Sequence, residues 1–124
     1  MLQYQTLTER IIGLAIEVHR GTGPGLLESA YADFLCDELE AAGIPFEREA
    51  AIPVVYKGSR RDKGFRADLL VDNAVIVEVK AVAALTAIHD AQLLTYLRMS
   101  GIRVGLLFNF NALRLIDGLR RRVV

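Results

Sequence analysis

Two carboxylates and a lysine, Asp68, Glu78 and Lys80, are the residues whose types and spacing are best suited to chemistry. Asp68 lies within an apolar stretch that favours a strand, where aspartate is disfavoured. Glu78 and Lys80 alternate with valines, so a strand would place both on one face, where burial without partners would be costly. A surface ion pair or the guarding of a sheet edge would also account for Glu78 and Lys80. Together with Asp68, they predict a site for a hard cation.

The predicted cation is Mg²⁺ or Mn²⁺, held by the carboxylate oxygens of Asp68 and Glu78. Mg²⁺ prefers oxygen ligands and keeps several of its waters when it binds to proteins. Such an ion polarises a phosphate and helps to generate hydroxide at neutral pH. Lys80 would hold the attacking water or offset the charge that develops on the phosphoryl oxygens. These roles predict hydrolysis of a phosphodiester.

The site requires Asp68 and Glu78 to lie on the same face of the sheet. A two-residue loop at residues 72–73 would pair Asp68 with Val77 and put Glu78 on the opposite face. A three-residue loop at residues 72–74 would pair Asp68 with Glu78, because a one-residue slip moves every side chain to the other face. The metal-site hypothesis therefore predicts the three-residue loop, or a bulge with the same effect. With the carboxylates on opposite faces, the polar residues would be structural and an oligomer interface would be the function.

Two further polar pairs flank this group at helical spacing. Glu28 and Tyr31 are three residues apart and share a helix face, so Glu28 could reach the metal directly or through water. Favourable charge in the first turn of a helix would equally explain Glu28. Gln92 and Tyr96 are four residues apart, and both can hydrogen-bond a phosphate or support the lysine. A partly buried polar pair at the edge of the core is the alternative for these two.

The two histidines and the single cysteine have weaker claims to a role in the site. His19 ends a predicted helix nine residues before Glu28 and could approach the metal, but stabilisation of a helix C-terminus explains it as well. His89 lies one helical turn before Gln92 and could line the same cleft. Cys36 lies among apolar residues and is interpreted as a core thiol.

The elements that position these residues follow from the hydrophobic period. Apolar residues at helical spacing predict helices over 6–19, 26–42 and 88–100. Strands are predicted over 52–56, 65–71, 75–80 and 104–110, and Pro53 indicates an edge strand or a bulge. The basic tail, residues 113–124, has no clear pattern. The order α-α-β-β-β-α-β predicts an α/β fold with a mixed central sheet flanked by helices, in which strands 75–80 and 104–110 are parallel.

Composition limits the classes of protein to which the chain can belong. Its 124 residues, of which 52% are hydrophobic, fit one domain over residues 1–124. Fifteen basic and fifteen acidic residues cancel, which disfavours tight DNA binding by net charge alone, although residues 60–63 and 120–122 form basic clusters. The single cysteine fits a reducing compartment, and no secretory signal or bilayer-spanning run is visible. We therefore expect a cytoplasmic protein without a membrane partner.

Taken together, the motifs resemble those of a known superfamily. They occur in the order Gly25…Glu28…Tyr31, Gly64…Asp68, Glu78-Val79-Lys80 and Gln92…Tyr96. This order resembles the PD-(D/E)XK nuclease superfamily, in particular its RecB-like branch, where a Gln-x-x-x-Tyr helix follows the Glu-x-Lys strand. Over nearly its whole length the chain resembles the GxxExxY protein family more closely. The proline that precedes the superfamily's aspartate is replaced here by Ala67.

The resemblance implies a restriction-endonuclease-like core and a set of functional residues. It implies a metal held by Glu28, Asp68 and Glu78, with Lys80 as the catalytic lysine. Gln92, Tyr96 and Tyr31 would bind substrate, and we expect that substrate to be DNA rather than RNA. Because so small a chain leaves little surface for reading sequence, we expect a homodimer, a partner protein or selection of nucleic-acid structure. The alternative is a catalytically silent module of the same fold that binds nucleic acid or a protein.

Overall fold

A computed structural model describes residues 4–124 of the protein as a mixed α/β structure. A short 3₁₀ helix (Leu115–Gly118) connects the last two strands. The helices are α1 (Gln5–Thr22), α2 (Glu28–Ala41) and α3 (Ala87–Ser100), and the strands are β1 (Phe46–Tyr56), β2 (Ser59–Val71), β3 (Val75–Lys80), β4 (Val104–Asn109) and β5 (Leu119–Val123).

The five strands form one mixed sheet in the order β1-β2-β3-β4-β5. Three neighbouring pairs are antiparallel: β1 with β2, β2 with β3, and β4 with β5. β3 and β4 are parallel, and α3 connects them. The predicted α/β fold with a mixed sheet is therefore confirmed, as is the parallel pair around the third helix. Pro53 lies in an edge strand at a shift of register, as its missing N–H donor requires.

Helices cover both faces of the sheet and divide the core in two. α1 and α2 pack on one face, against alternate residues of β3 such as Val77 and Val79. α3 packs on the other face, where Leu93 and Leu97 contact Ile76 and Leu107. Because β3 is covered on both sides, its apolar residues are continuous, which is typical of a central strand.

Two parts of the sheet differ from the prediction. β1 and β2 begin at Phe46 and Ser59 and are much longer than predicted, because charged and small residues conceal a strand pair whose outer part is exposed. The unassigned tail forms β5, an edge strand that contains three consecutive arginines. Charge on an edge strand discourages pairing with other chains, which explains its polar sequence.

Cys36 is buried in α2, which confirms that it is a core thiol. Burial raises the pKa of this thiol, so the reactive thiolate is disfavoured. Within residues 4–124 we find no helix with the length and apolar character that a membrane span requires.

Candidate active site

The loop between β2 and β3 has the length that the site requires. Val71 pairs with Val75, so residues 72–74 form a three-residue loop, as the metal-site hypothesis predicted. Asp72 and Asn73 both have positive φ, a conformation that Asp and Asn tolerate better than most residues. Continuing the register from Leu69 opposite Val77 places Asp68 opposite Glu78.

Asp68 and Glu78 hold each other through the backbone of the opposite strand. The Asp68 N–H donates to Glu78 Oε2 at 2.9 Å, and the Val79 N–H donates to Asp68 Oδ2 at 2.8 Å. Where β2 and β3 separate, the two carboxylates thus accept the backbone N–H groups in place of the carbonyl oxygens of the opposite strand. Each bond uses one oxygen, which leaves Asp68 Oδ1 and Glu78 Oε1 for another ligand.

The electrostatics of Glu78 indicate that a cation is favoured here. Glu78 is 6% exposed, and burial together with the nearby Asp68 carboxylate raises its pKa to about 8. Lys80, on the same strand, acts in the opposite direction and lowers that pKa. Two close carboxylates repel each other, and a divalent cation between them would relieve the repulsion.

A break in the alternation of β2 aims Asp68 towards α2. Leu69 belongs to the core under α1 and α2, whereas both Ala67 and Leu70 belong to the core under α3, so the strand changes face at Asp68. The opposing strand changes face at the same level, where Glu49 has a φ of 50°. As a result Asp68 lines a cavity beside α2.

That cavity has a volume of about 290 Å³ and brings Glu28 and Asp68 together. Glu28 is the first residue of α2, and its Oε2 accepts a hydrogen bond from the Ala81 N–H at 3.1 Å, just beyond Lys80. Within residues 4–124, no three His, Cys, Asp or Glu side chains lie close enough to hold a metal ion among themselves. The carboxylate donors present are of the kind that bind Mg²⁺, which commonly uses one or two carboxylates and completes its shell with water and phosphate.

Tyr31 lies elsewhere than in the predicted substrate site. It is completely buried and stacks on Phe110 with ring centroids 4.6 Å apart. Its hydroxyl donates to the Gly23 carbonyl at 2.6 Å and accepts from the Leu26 N–H at 3.1 Å. The structure thus corrects the prediction of substrate contact, because Tyr31 fixes the glycine-rich loop from which Glu28 emerges.

Tyr96 and Gln92 lie on α3, and the Tyr96 ring packs on the α3 face of the sheet. Burial raises the pKa of Tyr96, and the negative charges of Glu78 and Asp68 raise it further, while a hydrogen bond with Gln92 opposes the shift. The Tyr96 ring stacks on Phe65 of β2 with centroids 3.8 Å apart. Tyr96 is thus within the electrostatic range of Glu78 and Asp68, and Gln92 is exposed to solvent.

Both histidines have other partners. His19 Nε2 is 2.9 Å from the Ala112 carbonyl oxygen, and its ring lies near Phe110. His89 Nδ1 accepts the Thr86 N–H at 3.0 Å, which completes a capping box at the start of α3. The prediction that they assist the metal or line the cleft gains no support from this placement.

Asn109 is a positioning residue that the sequence analysis missed. It is 3% exposed and lies beside Lys80 in the parallel register. Its side chain donates to the Val82 carbonyl and accepts the Val82 N–H, both at 3.0 Å. This bond pair fixes the chain where it leaves β3. The sequence feature that could have identified it is an asparagine near the end of the apolar run over residues 104–110.

Comparison with known proteins agrees with this geometry. The model of the family described as the PD-(D/E)XK nuclease superfamily matches residues 5–122 of the chain. No curated protein and no solved structure matches.

Proposed function

Since the chain belongs to the PD-(D/E)XK nuclease superfamily, we propose that it is a metal-dependent nuclease that hydrolyses phosphodiester bonds at the cavity between Asp68 and Glu28. The observation that carries the proposal is the pairing of Asp68 with Glu78 across β2 and β3. Two adjacent carboxylates repel each other when both are ionised, as the raised pKa of Glu78 reflects, and either a proton or a bound cation relieves that repulsion.

Asp68 and Glu78 would hold Mg²⁺ or Mn²⁺ directly. The metal ion would supply Lewis-acid polarisation of the phosphate and lower the pKa of a water molecule. Glu28 lines the same cavity, but its Oε2 already accepts a hydrogen bond from the Ala81 N–H, so we assign it a water-mediated contact with the metal.

Lys80 would bind the attacking water or a phosphoryl oxygen. Its side chain lowers the pKa of Glu78, which supports a role for the ammonium at the same site. A cation held in place costs little reorganisation when charge develops on the phosphate. Tyr96, with Gln92 beside it, would orient the substrate from the α3 side. We assign the chain to the RecB-like branch and the GxxExxY family on the motif order alone, with DNA as the expected substrate.

The test is cleavage of single-stranded, duplex and branched DNA and RNA in the presence of Mg²⁺ or Mn²⁺. We expect cleavage by the wild-type protein, its loss in EDTA, and a loss of about 100-fold or more in Asp68→Asn and Lys80→Ala. Asp72→Asn is the matched control, because Asp72 is exposed in the same hairpin and asparagine suits its positive φ. Undiminished activity in Asp68→Asn and Lys80→Ala would contradict the proposed mechanism.

A further inference from the structure

The outer part of the β1–β2 hairpin, residues 51–66, forms an arm that extends beyond the rest of the sheet. β3 pairs with β2 at Leu69, Leu70 and Val71, and from Ala67 back to Ser59 β2 continues with β1 as its partner. The arm therefore starts directly at Asp68 and leads away from the site.

The base of this β1–β2 arm is fixed against the site. Phe65 stacks on Tyr96, whose pKa is raised in part by the negative charges of Glu78 and Asp68. Ile52, opposite Phe65, is 2% exposed in the core under α3. A Cβ at Gly64 would lie 2.3 Å from a methyl group of Val54, so the two strands touch where only glycine fits. The arm thus has a defined direction relative to the carboxylates.

Charge distinguishes the arm from the rest of the chain. Residues 51–66 contain five of the fifteen basic residues and one of the fifteen acidic residues, so the arm carries +4 and the remaining residues −4. Within residues 4–124, neither Lys63 nor Arg66 has a carboxylate at salt-bridge distance. Arg60 pairs with Asp62 in an exposed position, where such pairs are weak and easily exchanged.

The spacing of these cations suits a nucleic-acid backbone. A strand rises about 3.3 Å per residue, so the basic groups from Arg66 to Arg60 lie between about 7 and 26 Å from Asp68 along the arm. Successive phosphates of one DNA strand are about 3.4 Å apart along the helix axis. The arm would therefore reach phosphates on the order of two to eight base pairs from the site.

We propose that the β1–β2 arm binds the phosphate backbone of the nucleic acid on one side of the bond to be cut. The inference rests on the proposed function, because that function places the bond at Asp68 and Glu78. It also explains how a chain with no net charge can hold a polyanion, since the positive charge is concentrated next to the site.

The test is the salt dependence of binding to a fluorescently labelled DNA duplex of about 20 base pairs, measured by anisotropy in EDTA between about 50 and 200 mM salt. We expect the magnitude of the negative slope of log K against log salt to decrease by about 2 in the double variant Arg61→Gln/Lys63→Gln and by about 1 in Arg66→Gln. The matched control is Arg20→Gln/Arg114→Gln, which removes two exposed charges beside a different cavity and should leave the slope unchanged.

Equal slopes for the arm variants and the wild type, or an equal decrease in the control, would overturn the proposal. Thermal unfolding of each variant shows that it is folded before its slope is compared. Because binding is measured without metal, the outcome is independent of cleavage. A reduced slope in a protein that does not cut nucleic acid would support the arm and contradict the nuclease, and cutting with unchanged slopes would do the reverse.

Discussion

Asp68 and Glu78 each accept a hydrogen bond from the backbone of the other's strand, the first from Val79 at 2.8 Å and the second from Asp68 itself at 2.9 Å. This exchange holds two carboxylates close together in a largely buried position. It also marks the point where β2 leaves β3 and turns towards the β1–β2 arm. One structural feature therefore joins the predicted metal ligands to the surface that we propose for the substrate.

Without metal, the stability of the protein should fall as the pH rises, because of Glu78. The pKa of Glu78 is raised from 4.5 to about 8 in the folded chain. A group whose pKa is raised by folding contributes stability that is present below its unfolded pKa and is lost as the pH rises through its folded pKa. We expect the Tm in EDTA to decrease between about pH 5 and 9, by roughly 3–5 °C for each kcal/mol lost.

The control for this pH effect is Glu78→Gln, which cannot ionise and should have a flatter profile. Glu47→Gln removes an exposed glutamate of β1 instead and should retain the wild-type decrease. Parallel profiles for wild type and Glu78→Gln, measured by circular dichroism, would show that Glu78 does not titrate in this range.

Lys80→Ala should separate catalysis from metal binding. We expect cleavage to fall by about 100- to 1000-fold, the usual loss when one group that stabilises developing charge is removed. Since Lys80 lowers the pKa of Glu78, removing Lys80 raises that pKa, and near neutral pH a proton then competes more strongly with the metal for the Glu78 carboxylate. Mg²⁺ affinity should therefore be compared by calorimetry at about pH 8.5, where we expect it to be close to that of the wild type. A parallel loss of affinity and activity at that pH would make Lys80 part of the metal site.

Tyr31→Phe should weaken both the fold and the site without removing any group from the cavity. The variant leaves the Gly23 carbonyl and the Leu26 N–H without their partner, at a cost of about 1–3 kcal/mol in the free energy of unfolding. Because this loop leads into Glu28, we expect a lower cleavage rate as well. Urea unfolding measures the first effect. An unchanged unfolding free energy would show that the hydroxyl does not fix the loop.

Sequence patterns predicted the three helices and the central strands, because each rests on local periodicity. The pairing of Asp68 with Glu78 could be anticipated as well, because each is a polar residue in an apolar strand. The loop register was a different matter. Asp72 and Asn73 suit a two-residue loop as well as a three-residue one, and the tertiary pairing of Val71 with Val75 decides between them.

Other features depend on contacts that are distant in sequence. Helical spacing allows the Tyr31 side chain to face either the site or the core. Its stacking on Phe110, which decides between the two, involves a residue distant in sequence. His89 serves a helix cap rather than the cleft, since the capping box replaces the usual acidic residue with a histidine. Charged residues conceal β5, the first half of β1 and the first half of β2, because patterning detects burial more readily than extension.

The central claim is that Asp68 and Glu78 form a metal site, and the most direct measurement is titration of the protein with Mn²⁺ by isothermal calorimetry. We predict binding to the wild type and to the control Asp72→Asn, and an affinity more than about tenfold weaker in Asp68→Asn and in Glu78→Gln. Mn²⁺ binding of equal strength in all four proteins would contradict the account, as would its absence from the wild type.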